Sequence, residues 1–227
     1  MLVTTCEPKK LEEIRGEVFR LLPYTSITRS MLMFDSKNSK NIPVRTPLEE
    51  LTMVNVHTRQ SILETFETSF RCFNSRFGEH VPKLLNLLRK YCAENKQALL
   101  RVQIVTIDPL SSIPEHIDEG YYYTLTRRHH LVVKSEGSTM EEEGEKTIYS
   151  EGAIFYLENR KPHRAYNESE SERIHVIFDT LPLSLKDRLL RLYESSFLFS
   201  HQKNRVTFFV RGLWFVFLSS FALAYEE

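Results

Sequence analysis

Residues 151–179 read EGAIFYLENRKPHRAYNESESERIHVIFD, and this stretch decides the fold class. Two apolar, β-branched and aromatic runs, "AIFYL" and "RIHVIFD", flank a polar segment whose centre, "NESESE", is rich in turn formers. Short runs of this kind separated by polar turns predict β-strands. If the turn centres near Glu168, His163 and Arg173 lie opposite each other on one face of a hairpin. Side chains in such cross-strand pairs are ~4.5–5.5 Å apart at Cβ.

The same pattern extends in both directions. "ALLRVQIVTIDP" (98–109), "YYYTLTRRHHLVVKSEG" (121–137) and "KTIYSEGAIFYLEN" (146–159) are strand-like, and "SEGS" and "EEEGE" read as turns. Upstream the period changes from two to about 3.6. "PKKLEEIRGEVFRLLP" places Leu11, Ile14, Val18 and Leu21 on one helical stripe. "RQSILETFETSFRCFNSRFG" (59–78) repeats the pattern with Ile62, Phe66, Phe70 and Phe73, and "PKLLNLLRKYCAEN" is a third helix starting near Pro82. "SLKDRLLRLYESS" returns to helix after the strands. Helices first and strands second predict an α+β chain: a double-stranded β-helix of the jelly-roll or cupin kind, with N-terminal helices packed outside it. The expected division is a helical region over 1–97, the β-helix core over 98–182, and a C-terminal helix with an apolar tail over 183–227, all in one compact domain.

Composition narrows the function. The 227 residues carry 30 basic and 30 acidic side chains, so no net field draws the chain to nucleic acid. Three widely spaced cysteines, with no CxxC pair, predict free thiols in a reducing, cytoplasmic setting. "MLVTTCEPKKLEE" turns charged too early for a secretory leader. The tail "VTFFVRGLWFVFLSSFALA" (206–224) is strongly apolar apart from Arg211. A buried or partner-packed segment is the first expectation for it, and peripheral membrane contact the second.

The chemistry centres on "PEHIDEG" (114–120). In an extended segment, residues i and i+2 share a face, so His116 and Asp118 converge there. One imidazole and one carboxylate are two thirds of a facial triad for non-haem Fe(II). His129, His130, His163, His175 and His201 are available to complete it, and His163 is favoured by its expected place opposite Arg173. A metal-binding histidine beside a fixed guanidinium suits a ligand that chelates metal at one end and carries a carboxylate at the other, as 2-oxoglutarate does. "TRRHHLVV" adds two i, i+2 pairs on opposite faces: Arg128 with His130, and Arg127 with His129. Spacing leaves open whether one pair points inward or both form a solvated edge. His175 shares a face with Arg173 and reads equally well as a pocket or a core histidine.

The order H-x-D, R-x-H-L, a late histidine, an arginine ten residues on and "FD" resembles the aspartyl/asparaginyl β-hydroxylase family over about 101–182. That family comprises Fe(II)- and 2-oxoglutarate-dependent oxygenases on a double-stranded β-helix. The resemblance implies that His116, Asp118 and His163 bind Fe(II), and that Arg128, His130 and Arg173 hold the 2-oxoglutarate co-substrate. Dioxygen and an unidentified substrate complete the expected partners. Asp118 aligns this chain with the members that keep the acid rather than glycine. A longer gap between the H-x-D pair and "RRHHL", filled by "EGYYYTLT" (119–126), departs from the pattern. The implied activity is hydroxylation of an unactivated C–H bond of an amino-acid side chain or other small substrate. A membrane-associated lipid acyl-chain hydroxylase and a catalytically silent binding module are the alternatives.

Overall fold

The structure is a computed structural model that describes residues 4–24, 39–47, 72–74, 77–119 and 121–187. Eleven strands form two antiparallel sheets among the described residues. In chain order they are β1 (Thr4–Thr5), β2 (Ser39–Pro47), β3 (Cys72–Asn74), β4 (Gln97–Ile107), β5 (Ser111–His116), β6 (Arg127–Lys134), β7 (Thr139–Glu142), β8 (Glu145–Ile148), β9 (Ala153–Leu157), β10 (His163–Asn167) and β11 (Arg173–Pro182). The major sheet runs β1-β9-β6-β11-β4-β2-β3, and the minor sheet β5-β10-β7-β8. Helices α1 (Pro8–Leu21) and α2 (Pro82–Glu94) join this double-stranded β-helix, and a short helix α3 (Tyr121–Leu125) precedes β6.

The major sheet is buried on both faces, and its sequence alternation records this. Val102 and Ile104 of β4, Leu131 and Val133 of β6, Ile154 of β9, and Ile174, Val176 and Phe178 of β11 form one core with α1 and α2. The expected stripe of α1 (Leu11, Ile14, Val18 and Leu21) and Leu84, Leu85, Leu88 and Cys92 of α2 fill that core from the other side. Intervening positions point into the β-helix, where Ile107, Val132, Ala153, Phe155 and Leu157 meet Met140 and Ala165 of the minor sheet. The same inward face carries buried polar side chains: Arg101, Arg128, His130, Arg173, His175 and Asp179.

Three expectations are corrected. The N-terminal region is not wholly helical: β1, β2 and β3 join the major sheet, and β2 pairs directly with β4. β2 escapes a strand reading because "SKNIPVRTP" holds two prolines, and its ladder shifts register between Pro43 and Arg45, where Pro43 can donate no bond. "YYYTL", read as strand, is α3 instead, because Tyr122 packs on Leu100 and Leu181. Third, β10 and β11 are not a hairpin. β10 pairs with β5 and β7, whereas β11 pairs with β4 and β6, so "NESESE" carries the chain from one sheet to the other. The Asn167 side chain fixes that crossing by donating to the carbonyls of Ile107, Asp108 and Ser171.

The helix expected over 59–78 lies largely outside the described residues; its described part includes β3. The apolar tail and most of the helix expected from Ser184 are outside them too. Among the described residues, no helix is long and apolar enough to cross a membrane.

A buried carboxylate joins the two helices, beside an exposed Lys83–Glu13 ion pair at 3.3 Å. Val81, before α2, offers no side-chain cap, and the buried carboxylate of Glu17 in α1 instead accepts from the amides of Lys83 (3.0 Å) and Leu84 (2.9 Å). These are first-turn donors with no partner inside the helix. Glu17→Ala leaves both amides unpaired and should cost about 2–3 kcal/mol in chemical denaturation. Glu17→Gln, which keeps one acceptor, should cost clearly less. Equal losses in the two variants would mean that side-chain packing, and not the capping bonds, accounts for the effect.

Candidate metal centre

β5 and β10 place two imidazoles side by side, tilted by 53°. His116 is the last residue of β5, His163 the first of β10, and the two are Cα partners in the ladder. Their ring centroids are 4.3 Å apart. Asp118 follows just beyond β5, with Oδ1 3.9 Å from His116 Nε2. Among the described residues, ligand atoms of His116, Asp118 and His163 lie within 4.8 Å of one another. His163 is buried, Asp118 half-buried and His116 exposed, so the cluster opens to solvent on one side.

The tautomers follow from hydrogen bonding. His116 Nδ1 lies 2.9 Å from the carbonyl of Pro114, and His163 Nδ1 lies 2.8 Å from that of Lys161. A carbonyl only accepts, so each Nδ1 carries the hydrogen and each Nε2 keeps a lone pair for the site. Burial lowers the His163 pKa, which favours the neutral, ligating form. Two imidazoles that turn Nε2 to one site and a carboxylate beside them form a donor set suited to a divalent first-row metal.

Arg128 and His130 do point inward, but they diverge. Each nitrogen of the Arg128 guanidinium meets a carboxylate of this chain: Nη1 that of Asp118, and Nε (3.0 Å) and Nη2 (3.3 Å) that of Asp179. It is held by the protein's own acids, Asp118 and Asp179. Asp179 is fully buried and also accepts from Arg101 Nε at 2.7 Å. Burial pushes the Asp179 pKa up, and the Arg101 guanidinium pulls it back.

His130 belongs to a second cluster with Arg173 and His175, deeper in the β-helix. Arg173 Nη2 donates to His175 Nδ1 at 3.1 Å and to Met140 Sδ at 2.9 Å, and His130 Nδ1 lies 3.3 Å from His175 Nδ1. With His175 Nδ1 accepting, its Nε2 carries the hydrogen. Arg173 Nε, His175 Nε2 and His130 Nε2 are buried without a hydrogen-bond partner. Burial draws the Arg173 pKa down to about 9, so the group is still a cation at neutral pH. Burial, then the Arg173 charge, hold both imidazoles well below the usual histidine range. A buried cation with an unused donor has the chemistry to hold an anion.

Sequence reasoning missed Asn159, Arg101 and the role of Asp179. Asn159 lies in the turn between β9 and β10, and no periodicity marks it. Its Nδ2 donates to Asp118 Oδ2 at 2.8 Å, and its carbonyl accepts from the Asp118 amide at 2.9 Å.

A family model described as aspartyl/asparaginyl beta-hydroxylase matches residues 60–182. The chain belongs to this family. Membership makes this β-hydroxylase family member a 2-oxoglutarate-dependent oxygenase, and the imidazole–carboxylate cluster lies within the matched segment. No curated protein matches the chain by sequence. Solved structures of similar fold include an oxidoreductase of the 2OG-Fe(II) oxygenase family from Burkholderia pseudomallei, at 11% identity and TM-score 0.43, covering 79% of this chain and 94% of that one. Another is the viral collagen prolyl hydroxylase of Paramecium bursaria Chlorella virus-1 in complex with 2OG, at 12% identity and TM-score 0.42, covering 74% and 89%. A third is a predicted oxalate decarboxylase from Thermotoga maritima, at 15% identity and TM-score 0.30, covering 40% and 73%.

The opposite pair also diverges. Arg127 is exposed, whereas His129 is buried under α2, stacked on Phe178 at 5.2 Å and edge-on to Tyr91 at 5.7 Å. Burial lowers the His129 pKa from 6.5 to about 4. Between those values the unfolded chain takes up a proton that the folded chain refuses, so stability falls as pH falls through that window. A gap of this size is worth about 3 kcal/mol. Denaturation at pH 7 and pH 4.5 should show His129→Phe losing less stability on acidification than the parent, by up to about that amount. An identical loss in both would mean that His129 is as easily protonated in the folded chain as in the unfolded one.

Proposed function

We propose that this family member hydroxylates an unactivated C–H bond of an amino-acid side chain or other small substrate. In this reading His116, Asp118 and His163 hold Fe(II), and Arg173 holds the far carboxylate of 2-oxoglutarate. The observation that carries the reading is the pairing of a compact His–Asp–His cluster with a buried guanidinium that has no carboxylate partner among the described residues. With iron, 2-oxoglutarate and dioxygen supply the oxidising power: the keto acid loses carbon dioxide to become succinate, and one oxygen atom enters the C–H bond.

The chain's own residues bind and orient. Carbonyls of Pro114 and Lys161 fix the two imidazoles with Nε2 facing the site. The Asp118 carboxylate offsets part of the metal's charge. Arg173 Nε and His175 Nε2 supply two donors for a carboxylate, and the stacked rings of Tyr149 and Phe155, 3.6 Å apart, help exclude water from that depth.

Asp118→Ala removes the single carboxylate of the set and should abolish succinate formation; full activity would remove Asp118 from the site. Arg173→Ala should weaken apparent 2-oxoglutarate affinity by on the order of a hundredfold or more, because a buried carboxylate losing its partner costs ~3–5 kcal/mol. Iron binding should stay close to normal. Arg173→Lys should recover part of the loss, since an ammonium lacks the bidentate fork. Arg127→Ala, on the exposed side, should change neither. Titrating 2-oxoglutarate against succinate in the three arginine variants tests this, and an unchanged affinity in Arg173→Ala would remove the arginine from the co-substrate site.

A further inference from the structure

We infer that Asn159 and Arg128 are positioning residues for the carboxylate ligand: together they occupy one oxygen of Asp118 and leave the other for the metal. The inference rests on the reading that Asp118 is a ligand. Asp118 lies past the end of β5, so no sheet ladder holds it. Its constraints are three specific contacts. Its amide donates to the Asn159 carbonyl at 2.9 Å, and its Oδ2 accepts from Asn159 Nδ2 at 2.8 Å and from Arg128 Nη1. Oδ1 faces His116 Nε2 instead. With Oδ2 taken by two donors, one of them cationic, the carboxylate is set to bind through a single oxygen.

The clamp is itself anchored. Asn159 is 2% exposed and its amide bonds the Leu157 carbonyl at 2.9 Å. Arg128 is gripped from behind by Asp179, which Arg101 holds in turn. Both guanidinium carbons lie over the ring of Tyr123, at 5.4 Å for Arg101 and 5.1 Å for Arg128. Tyr123 belongs to α3. Tyr123 thus covers the arginine pair whose charges fix Asp118.

Replacing a side chain that orients a metal ligand weakens metal binding by about 10–100-fold. Co(II) titration followed by its visible absorption reads this without turnover. Asn159→Ala and Arg128→Lys should each weaken Co(II) binding within that range and alter the Co(II) spectrum. In both, 2-oxoglutarate affinity of the metal-saturated protein should be unchanged. In an Asp118→Ala background, Asn159→Ala should cost nothing further, because the group it orients is gone. If one variant fails to fold, the other carries the test alone. Co(II) affinity equal to the parent's in the folded variants overturns the inference, as does an equal Asn159→Ala loss with and without Asp118. Weakened 2-oxoglutarate binding with normal metal affinity in Arg128→Lys would return Arg128 to the co-substrate site. Failure of the parent protein to bind Co(II) would overturn the metal reading itself, a separate result.

Discussion

The candidate centre depends on one cross-strand pairing: His116 opposite His163 in the ladder between β5 and β10. The side-chain period of a strand is two, so a slip of one residue would turn either imidazole to the far face of the minor sheet. Both histidines sit at strand ends, where the ladder could fray. The pairing persists because β10 is held on both sides, by β5 and by β7, with Ala165 and Met140 packed in the core below. The tight turn after β7, with Glu143 and Gly144 both at positive φ, fixes the register of β7 with β8 and completes the minor sheet. Packing in one half of the β-helix thus sets the geometry of the candidate ligands at its mouth.

The second constraint is electrostatic. The inward face of the major sheet carries Arg101, Arg128, Arg173 and Asp179, all buried. Isolated charges at such depth would be prohibitive, and two of the three guanidiniums are compensated by Asp179 and Asp118. Arg173 has no carboxylate among the described residues. The fold bears that cost because α1 and α2 seal the opposite face of the same sheet with an apolar core. A buried cation without a carboxylate partner is an arrangement that an incoming anion would relieve.

Much of this was legible in the sequence. The α1 stripe, the strand alternation and the inward face shared by Arg173 and His175 follow from periodicity alone. Asp118 and His116 converge as their i, i+2 spacing implies. What failed has physical causes. The polar run "NESESE" signals a reversal of the chain but not which sheet receives the next strand, so His163 and Arg173 were expected as ladder partners when they occupy different sheets. Intrinsic β-propensity misassigned the tyrosines of α3, whose conformation is set by packing on Leu100 and Leu181. Asn159 was invisible because its function is a tertiary contact across 41 residues, which no local pattern encodes.

The most direct test of the account is a crystal structure grown anaerobically with Fe(II) and 2-oxoglutarate. It should show one metal ion roughly 2 Å from His116 Nε2, His163 Nε2 and a single oxygen of Asp118. The 2-oxoglutarate should chelate that ion through its keto acid, with its far carboxylate against Arg173. A metal bound elsewhere, or a co-substrate whose far carboxylate turns away from Arg173, would contradict the account.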